Sequence, residues 1–413
     1  MNTAQSTSTE VPNADLSLRT APPEGESTVK VPAAEQSGPR RLVSLDALRG
    51  FTMFWILGGA AFENAFHALP PNRFTSWVND QLSHCSWEGC HFEDIIFPMF
   101  VFVVGVSLVL TLPAKVERDG RSKTFWRVAR RAAVLFLLGV FYNGGGMRGV
   151  EGVRWMGVLQ RIAIAYFFAS YLFLWMKPRN LIFVIVGILL GYWALLAWVP
   201  VPGFGAGDYA EGHNLTNYLD HMYLPGRMYD KTHDPEGLLS SFPAVATCLF
   251  GVLAGVWLVR EGRAGRKALQ FVGMGLLLIK LGLFWGGNYT DSYGAIGYFP
   301  IIKKIWTSSY VVLVAGWSAL FLGVFYLVID VWKLRHWAVP FVWIGMNPIT
   351  LYLFESIASS RNIALRIVGG TIYDVFNFLV MPGTGDLLVA IVASTISVWL
   401  AWFLHNRRIF LRV

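Results

Sequence analysis

Charge is what this chain is short of. Asp, Glu, Lys and Arg make up 15% of its 413 residues, where a soluble protein carries about 25%. Cysteine is scarce as well, with three residues. That is too few for a disulfide-stapled fold, and the spacing is not that of a zinc finger, so no metal is expected. Residues 1–39 hold no apolar run, which argues against a cleavable signal peptide. Their Ser, Thr, Pro and Glu content predicts a disordered cytoplasmic tail. The net charge of +8 comes without an RNA-recognition signature or a basic–aromatic groove, so nucleic acid is not the expected partner.

What fills the chain instead is apolar: 54% hydrophobic and 15% aromatic. Runs of roughly 20 apolar residues separated by short charged segments predict an all-α, polytopic transmembrane helical bundle over residues 40–413. About ten spans can be drawn: 44–66, 94–113, 124–142, 156–176, 180–199, 238–259, 267–286, 307–331, 337–357 and 382–404. Residues 361–380 read as a re-entrant or interfacial segment. An even span count puts both termini on one side. With the termini cytoplasmic, the inner segments hold 22 of the 34 Lys and Arg residues and the outer loops hold 9. That bias follows the positive-inside rule, and the basic inner face suits anionic lipid or a nucleotide. The same orientation turns the His84 segment and the long loop 200–237 outward. That loop is rich in Asp, Glu, His, Tyr and Gly.

The polar stretch before the second span concentrates acid–base chemistry. His84 and His91 stand close to Glu93 and Asp94, at the mouth of an apolar helix where such groups are costly. His84 reads either as a nucleophile or general base or as an exposed loop residue. Asp94 reads as a helix cap, as a partner for His84, or as both; Glu93 is the alternative partner. Cys85 and Cys90 are either a disulfide or two adjacent small residues, and Cys248 is a core residue.

Other polar residues sit where lipid or core is expected. Arg49 lies in the first span, three residues after Asp46 on the same face, so an intrahelical pair and a ligand contact are both open. Gln160 and Arg161 are adjacent in the fourth span, where long polar side chains rarely face lipid. Asn347 precedes Pro348 in the ninth, a pair that breaks backbone bonding. Asp234-Pro-Glu236 reads as a helix start. Lys303 and Lys304 run against the charge bias, which marks them for use. Gly251 and Gly255 form a small-xxx-small packing face. Asn214 and Asn288 open glycosylation sequons that would matter only in a secretory pathway.

Several segments in order carry a resemblance: Arg41-Leu-Val-Ser-Leu-Asp-Ala-Leu-Arg-Gly50, His84-Cys-Ser-Trp-Glu-Gly89, Asp94-Ile-Ile-Phe-Pro, Gly157-Val-Leu-Gln-Arg161, Asp234-Pro-Glu-Gly and Lys304-Ile-Trp-Thr-Ser-Ser-Tyr310. Together they resemble the bacterial relatives of heparan-α-glucosaminide N-acetyltransferase, from about residue 40 onward. The resemblance implies a multi-pass protein of the bacterial inner membrane. It implies acetyl-CoA as the cytoplasmic donor and an amino sugar of the glucosamine type as the acceptor across the membrane. It implies His84 as the catalytic histidine and Asp94 as its aspartate. Arg49, Gln160, Arg161, Lys304, Ser309 and Asn347 are then the residues expected at the donor, and Trp87, Glu88, Asp234 and Glu236 those expected at the acceptor. No counterpart of the large lumenal domain of the lysosomal enzyme is expected, and an extended loop is expected from His67 to Ser83. A transporter of N-acetylglucosamine and an O-acetylating enzyme of the cell envelope remain alternatives, and a homodimer is open.

Overall fold

The computed structural model describes residues 42–147, 149–230, 232–287 and 298–411. The N-terminal tail and the Asn288 sequon lie outside them. Among the described residues the chain is helical, with only isolated β-bridges.

All ten expected segments form helices. They are α1 (Val43–Ala68), α3 (Phe92–Asp119), α4 (Arg121–Tyr142), α6 (Val158–Trp175), α7 (Pro178–Trp198), α9 (Ser241–Val259), α10 (Ala264–Trp285), α11 (Ser308–Phe325, continued by a π-helical turn to Val331), the pair α12 (Val339–Met346) and α13 (Pro348–Ala358), and α16 (Thr384–Asn406). By length and composition, seven of these are long and apolar enough to cross a membrane, or eight if α12 and α13 count as one bent span. The remaining two, α1 and α4, are 26 and 22 residues long but less apolar. α12 and α13 meet at 73°. Asn347 sits at the break, because Pro348 has no N–H to continue the ladder.

The interior is organised around α3. Of its most apolar window, 78% is buried, against 28% for α7 and 22% for α10, which lie at the edge. α3 comes so close to α9 because both present glycine. A Cβ on Gly105 would stand 2.0 Å from the Cys248 carbonyl oxygen, and one on Gly251 would stand 1.9 Å from that of Phe102. The small-residue face is therefore a backbone-to-backbone contact.

Two shorter features position the site. The stretch read as an extended loop holds a helix, α2 (Arg73–Leu82). Asn72 caps it by accepting from the Phe74 and Thr75 amides, and the Thr75 hydroxyl accepts from the Asn72 amide. The long loop holds α8 (Leu215–Tyr223), capped by Asn214, whose side chain is buried and bonded inside the loop. The segment read as interfacial forms two short amphipathic helices, α14 (Ser360–Val368) and α15 (Thr371–Leu379), which pack beside α16.

Candidate active site at one end of the bundle

The N-terminus of α3 carries the site. His91 is its N-cap and Asp94 the third residue of its first turn, one turn inside the position expected for a capping residue. Asp94 is fully buried, and both its oxygens are used. Oδ2 accepts the His91 amide at 3.0 Å and the Cys85 amide at 3.2 Å. Oδ1 lies 3.0 Å from His84 Nδ1 and 3.0 Å from Lys303 Nζ. The Tyr310 hydroxyl of α11 donates to the Asp94 carbonyl at 2.6 Å. Asp94 thus closes the loop 84–91 onto the helix and fixes one edge of the His84 ring, while the His84 side chain is 58% exposed.

Lys303 arrives from a chain segment 219 residues away. The Gly89 amide donates to the Ile301 carbonyl at 2.8 Å, and Glu88 bridges to Ile302, so residues 298–307 lie along the His84 loop. Lys304, one residue on, points elsewhere. Its ammonium sits 3.2 Å from Glu211, 3.3 Å from Asp230 and 5.9 Å from the centre of the Trp87 ring. Burial works against that charge, but the two carboxylates outweigh it and raise the Lys304 pKa. Trp87 also donates to the Tyr209 carbonyl and meets the edge of the buried His233 ring. Ser309 is buried, and its hydroxyl donates to the Pro300 carbonyl, bracing the same segment.

Both loop cysteines are free. Burial, then the charge of Asp94, pushes the Cys85 thiol up to about 11, and burial raises Cys90 further. Neither supplies a thiolate near neutral pH. Cys85, His91 and Asp94 are close enough together to consider a metal. However, Asp94 Oδ2 is spent on two amides, and His91 Nδ1 lies 3.0 Å from the Ser83 carbonyl.

The motif at Asp234 does not open a helix, since α9 begins at Ser241. Asp234 instead makes an Asx turn, accepting from the Glu236 amide, and pairs with Arg154 through two oxygens at 2.6 and 2.7 Å. Arg154 also bonds Glu236. Burial opposes the guanidinium, yet these two carboxylates hold its pKa above the ordinary arginine range. Beside them, burial lifts the Asp220 carboxyl to about 6. Replacing Arg154 with alanine leaves the fully buried Asp234 without its cation and costs about 3–5 kcal/mol. A lowered thermal midpoint in detergent, partly restored by adding Asp234→Asn, is the expected result. An unchanged midpoint contradicts it.

Deeper in the bundle, four expected residues fall into two groups. Arg49 pairs with Asp46 at 2.6 Å, as its spacing allows, and also reaches the Gly345 carbonyl at 2.5 Å, two residues before the break at Asn347. Gln160 and Arg161 are both fully buried in α6. Arg161 donates to Ser240 at 2.5 Å and stacks 4.5 Å over Trp306. Both amide atoms of Gln160, both of Asn347, and Nε and Nη1 of Arg161 are buried without a hydrogen-bond partner. Such groups are costly inside a bundle, which marks these positions rather than Lys304 and Ser309 as open to a ligand.

Several membrane-length helices, with a carboxylate-held histidine at one end of the bundle, make this a multi-pass membrane protein. The sequence places that protein more closely. Residues 41–270, more than half the chain, match the family described as heparan-alpha-glucosaminide N-acetyltransferase, catalytic, and the chain belongs to that family. It is similar to heparan-alpha-glucosaminide N-acetyltransferase of Homo sapiens, 26% identical over 91% of this chain and 60% of the human protein. The protein of the same name from Mus musculus is 25% identical, over 92% of this chain and 62% of its own length. The chain thus spans about 60% of the length of these relatives.

Proposed function

We propose that this chain is a transmembrane acetyltransferase, moving an acetyl group from acetyl-CoA at a basic cytoplasmic face to an amino sugar of the glucosamine type on the other side. The observation that carries the reading is His84, held at Nδ1 by the buried Asp94 and exposed at its other edge. Family membership supports N-acetyl transfer as the chemistry.

Asp94 takes the Nδ1 proton of His84 in a hydrogen bond, which leaves the lone pair on Nε2. Nε2 then accepts a proton from the acceptor amine as nitrogen attacks the acetyl carbonyl carbon. The C–N bond forms, the C–S bond breaks, and the proton passes from His84 to the departing sulfur. Trp87 and the exposed Glu88 stand three and four residues along the same loop and are the acceptor contacts. Asp234 and Glu236 hold the neighbouring loop through Arg154.

On the donor side, Arg49 reaches the Gly345 carbonyl two residues before Asn347 at the α12–α13 break, and Gln160 and Arg161 bring unpartnered polar atoms into the interior. A nucleotide kept at the basic face, with its pantetheine arm running past these groups, brings the thioester to His84. The topology that suits this has ten spans and both termini in the cytoplasm, in a bacterial inner membrane. Anionic lipid would lie against the basic segments, and a homodimer is compatible with the reading.

The test is turnover. Purified protein with acetyl-CoA and glucosamine should release free CoA and N-acetylglucosamine in equal amounts. Flux of N-acetylglucosamine into liposomes without acetyl-CoA points to the transporter instead, and ester products from hydroxyl sugars alone point to O-acetylation.

A further inference from the structure

Lys303 contacts two groups, and the geometry of those contacts says more than an ion pair. Its Nζ is 2.9 Å from His84 Nδ1 and 3.5 Å from Nε2. An ammonium on the Nδ1 lone pair lies in the ring plane, facing away from Nε2, and would be far more distant from Nε2 than from Nδ1. Two such similar distances put Nζ over the face of the ring. The Nδ1–H bond to Asp94 Oδ1 is therefore left intact. One ammonium N–H goes to the same Oδ1 at 3.0 Å. An ammonium carries three donors. Among the described residues the hydrogen bonds and ion pairs of the Lys303 ammonium are with Asp94 and His84 alone. Donor capacity is left over beside the edge of the imidazole that carries the Nε2 lone pair.

The segment that presents Lys303 is held rigidly. The Trp306 amide donates to the Lys303 carbonyl at 2.9 Å, and the Thr307 amide donates to that of Ile302. The Thr307 hydroxyl accepts the Ile302 amide at 3.0 Å. Trp306, fully buried, takes φ of 54°, a left-handed conformation that costs a bulky residue about 1–3 kcal/mol. Its indole is pinned by Thr247, by Phe97 and by the guanidinium of Arg161. This surrounding packing holds the strained turn and, with it, the position of Nζ.

We infer that Lys303 is a catalytic residue of this site, the electrophile that stabilises the oxyanion formed when an amine adds to an acetyl thioester at His84. The inference rests on the acetyl-transfer reading above. As nitrogen adds to the carbonyl carbon, the C=O π pair moves onto oxygen and His84 Nε2 takes the amine proton. The Lys303 ammonium donates to that oxygen without giving up its proton. When the pair returns, the C–S bond breaks and the thiolate takes the proton back from His84. A pre-placed donor aimed where charge develops stabilises the transition state more than the ground state.

The experiment is steady-state kinetics on the full-length protein in detergent, with acetyl-CoA and the amino sugar that wild type turns over. Lys303→Met should lower kcat by about 10²–10³-fold, as the loss of one oxyanion donor does elsewhere, while KM for both substrates stays within about threefold of wild type. Lys303→Arg keeps the charge beside Asp94, but its planar fork cannot set a single N–H over the ring as an ammonium does. It should fold like wild type and lose at least about tenfold in kcat, so it carries the test if Lys303→Met fails to fold. Wild-type kcat in the folded Arg variant, or a rise in KM at unchanged kcat in either variant, overturns the assignment. Absence of turnover in wild type with every amino or hydroxyl sugar sinks the acetyltransferase reading, and the role of Lys303 with it.

Discussion

His84→Ala is expected to lower acetyl transfer by about 10²–10⁴-fold, the range a positioned general base supplies, while the protein elutes and melts like wild type. The two halves of that expectation have separate physical grounds. Activity falls because, among the described residues, no other base stands in that position. Cys85 is a protonated thiol at neutral pH, and His91 has its Nδ1 against the Ser83 carbonyl. Stability holds because the His84 side chain is more than half exposed and so buries little on folding. Asp94 also keeps two amides and the Lys303 ammonium when the imidazole is gone, so its buried charge stays compensated. Asp94→Ala is different in kind. It frees the Cys85 and His91 amides, the Lys303 ammonium and the ring at once, and both activity and thermal midpoint should fall. Coupled release of CoA, size-exclusion profiles and melting curves on the three proteins separate these outcomes. Wild-type turnover in His84→Ala removes His84 from the mechanism.

Gly251→Val should abolish folding altogether. The new side chain begins 1.9 Å from the Phe102 carbonyl oxygen, and its neighbours are backbone atoms of α3 that no rotamer change can move aside. Separating α3 from α9 opens the most buried helix of the bundle. Inside a membrane such a contact is held by close packing, with little hydrophobic drive to restore it. Even alanine is too large there. Gly187 on α7 is the control, because nothing lies within 4 Å of a Cβ added to it. Gly187→Ala should be neutral or stabilise by up to about 1 kcal/mol. Yield and monodispersity in detergent report both variants, and a monodisperse Gly251→Val protein would show that α3 and α9 tolerate separation.

The sequence reads well wherever the determining signal is local. Nine of the ten apolar runs form one continuous helix each and the ninth a bent pair, because hydropathy and helical bonding act on the same 20-residue stretch. The break at Asn347 follows from the missing N–H of its neighbour, and the Arg49–Asp46 pair from their spacing. His84 and Asp94 are ten residues apart and joined by one short loop, so their meeting was legible. The reading weakens where partners are distant in sequence. Lys303 stood out only as a charge on the unexpected side, and nothing local says that it, rather than Lys304, meets Asp94. Arg154 reaches Asp234 across 80 residues, and Asp234-Pro therefore looked like the start of a helix when it is the anchor of a loop. α2 was missed for another reason. Its ten residues are too polar to register as a span, and only the cap at Asn72 and Thr75 announces it.

Lys303 and Lys304 divide two acidic sites between them. The two adjacent side chains at the start of this turn point to different partners, one to Asp94 and the other to Glu211 and Asp230. The length of the segment from Phe299 to Thr307 is thereby fixed to the residue. Connections between helices ordinarily tolerate insertions, yet one residue gained or lost ahead of Lys303 would shift both lysines by one place and leave one of the two acidic sites without its cation. Length variation in this protein is therefore expected to accumulate elsewhere, in connections that carry no such pair of contacts.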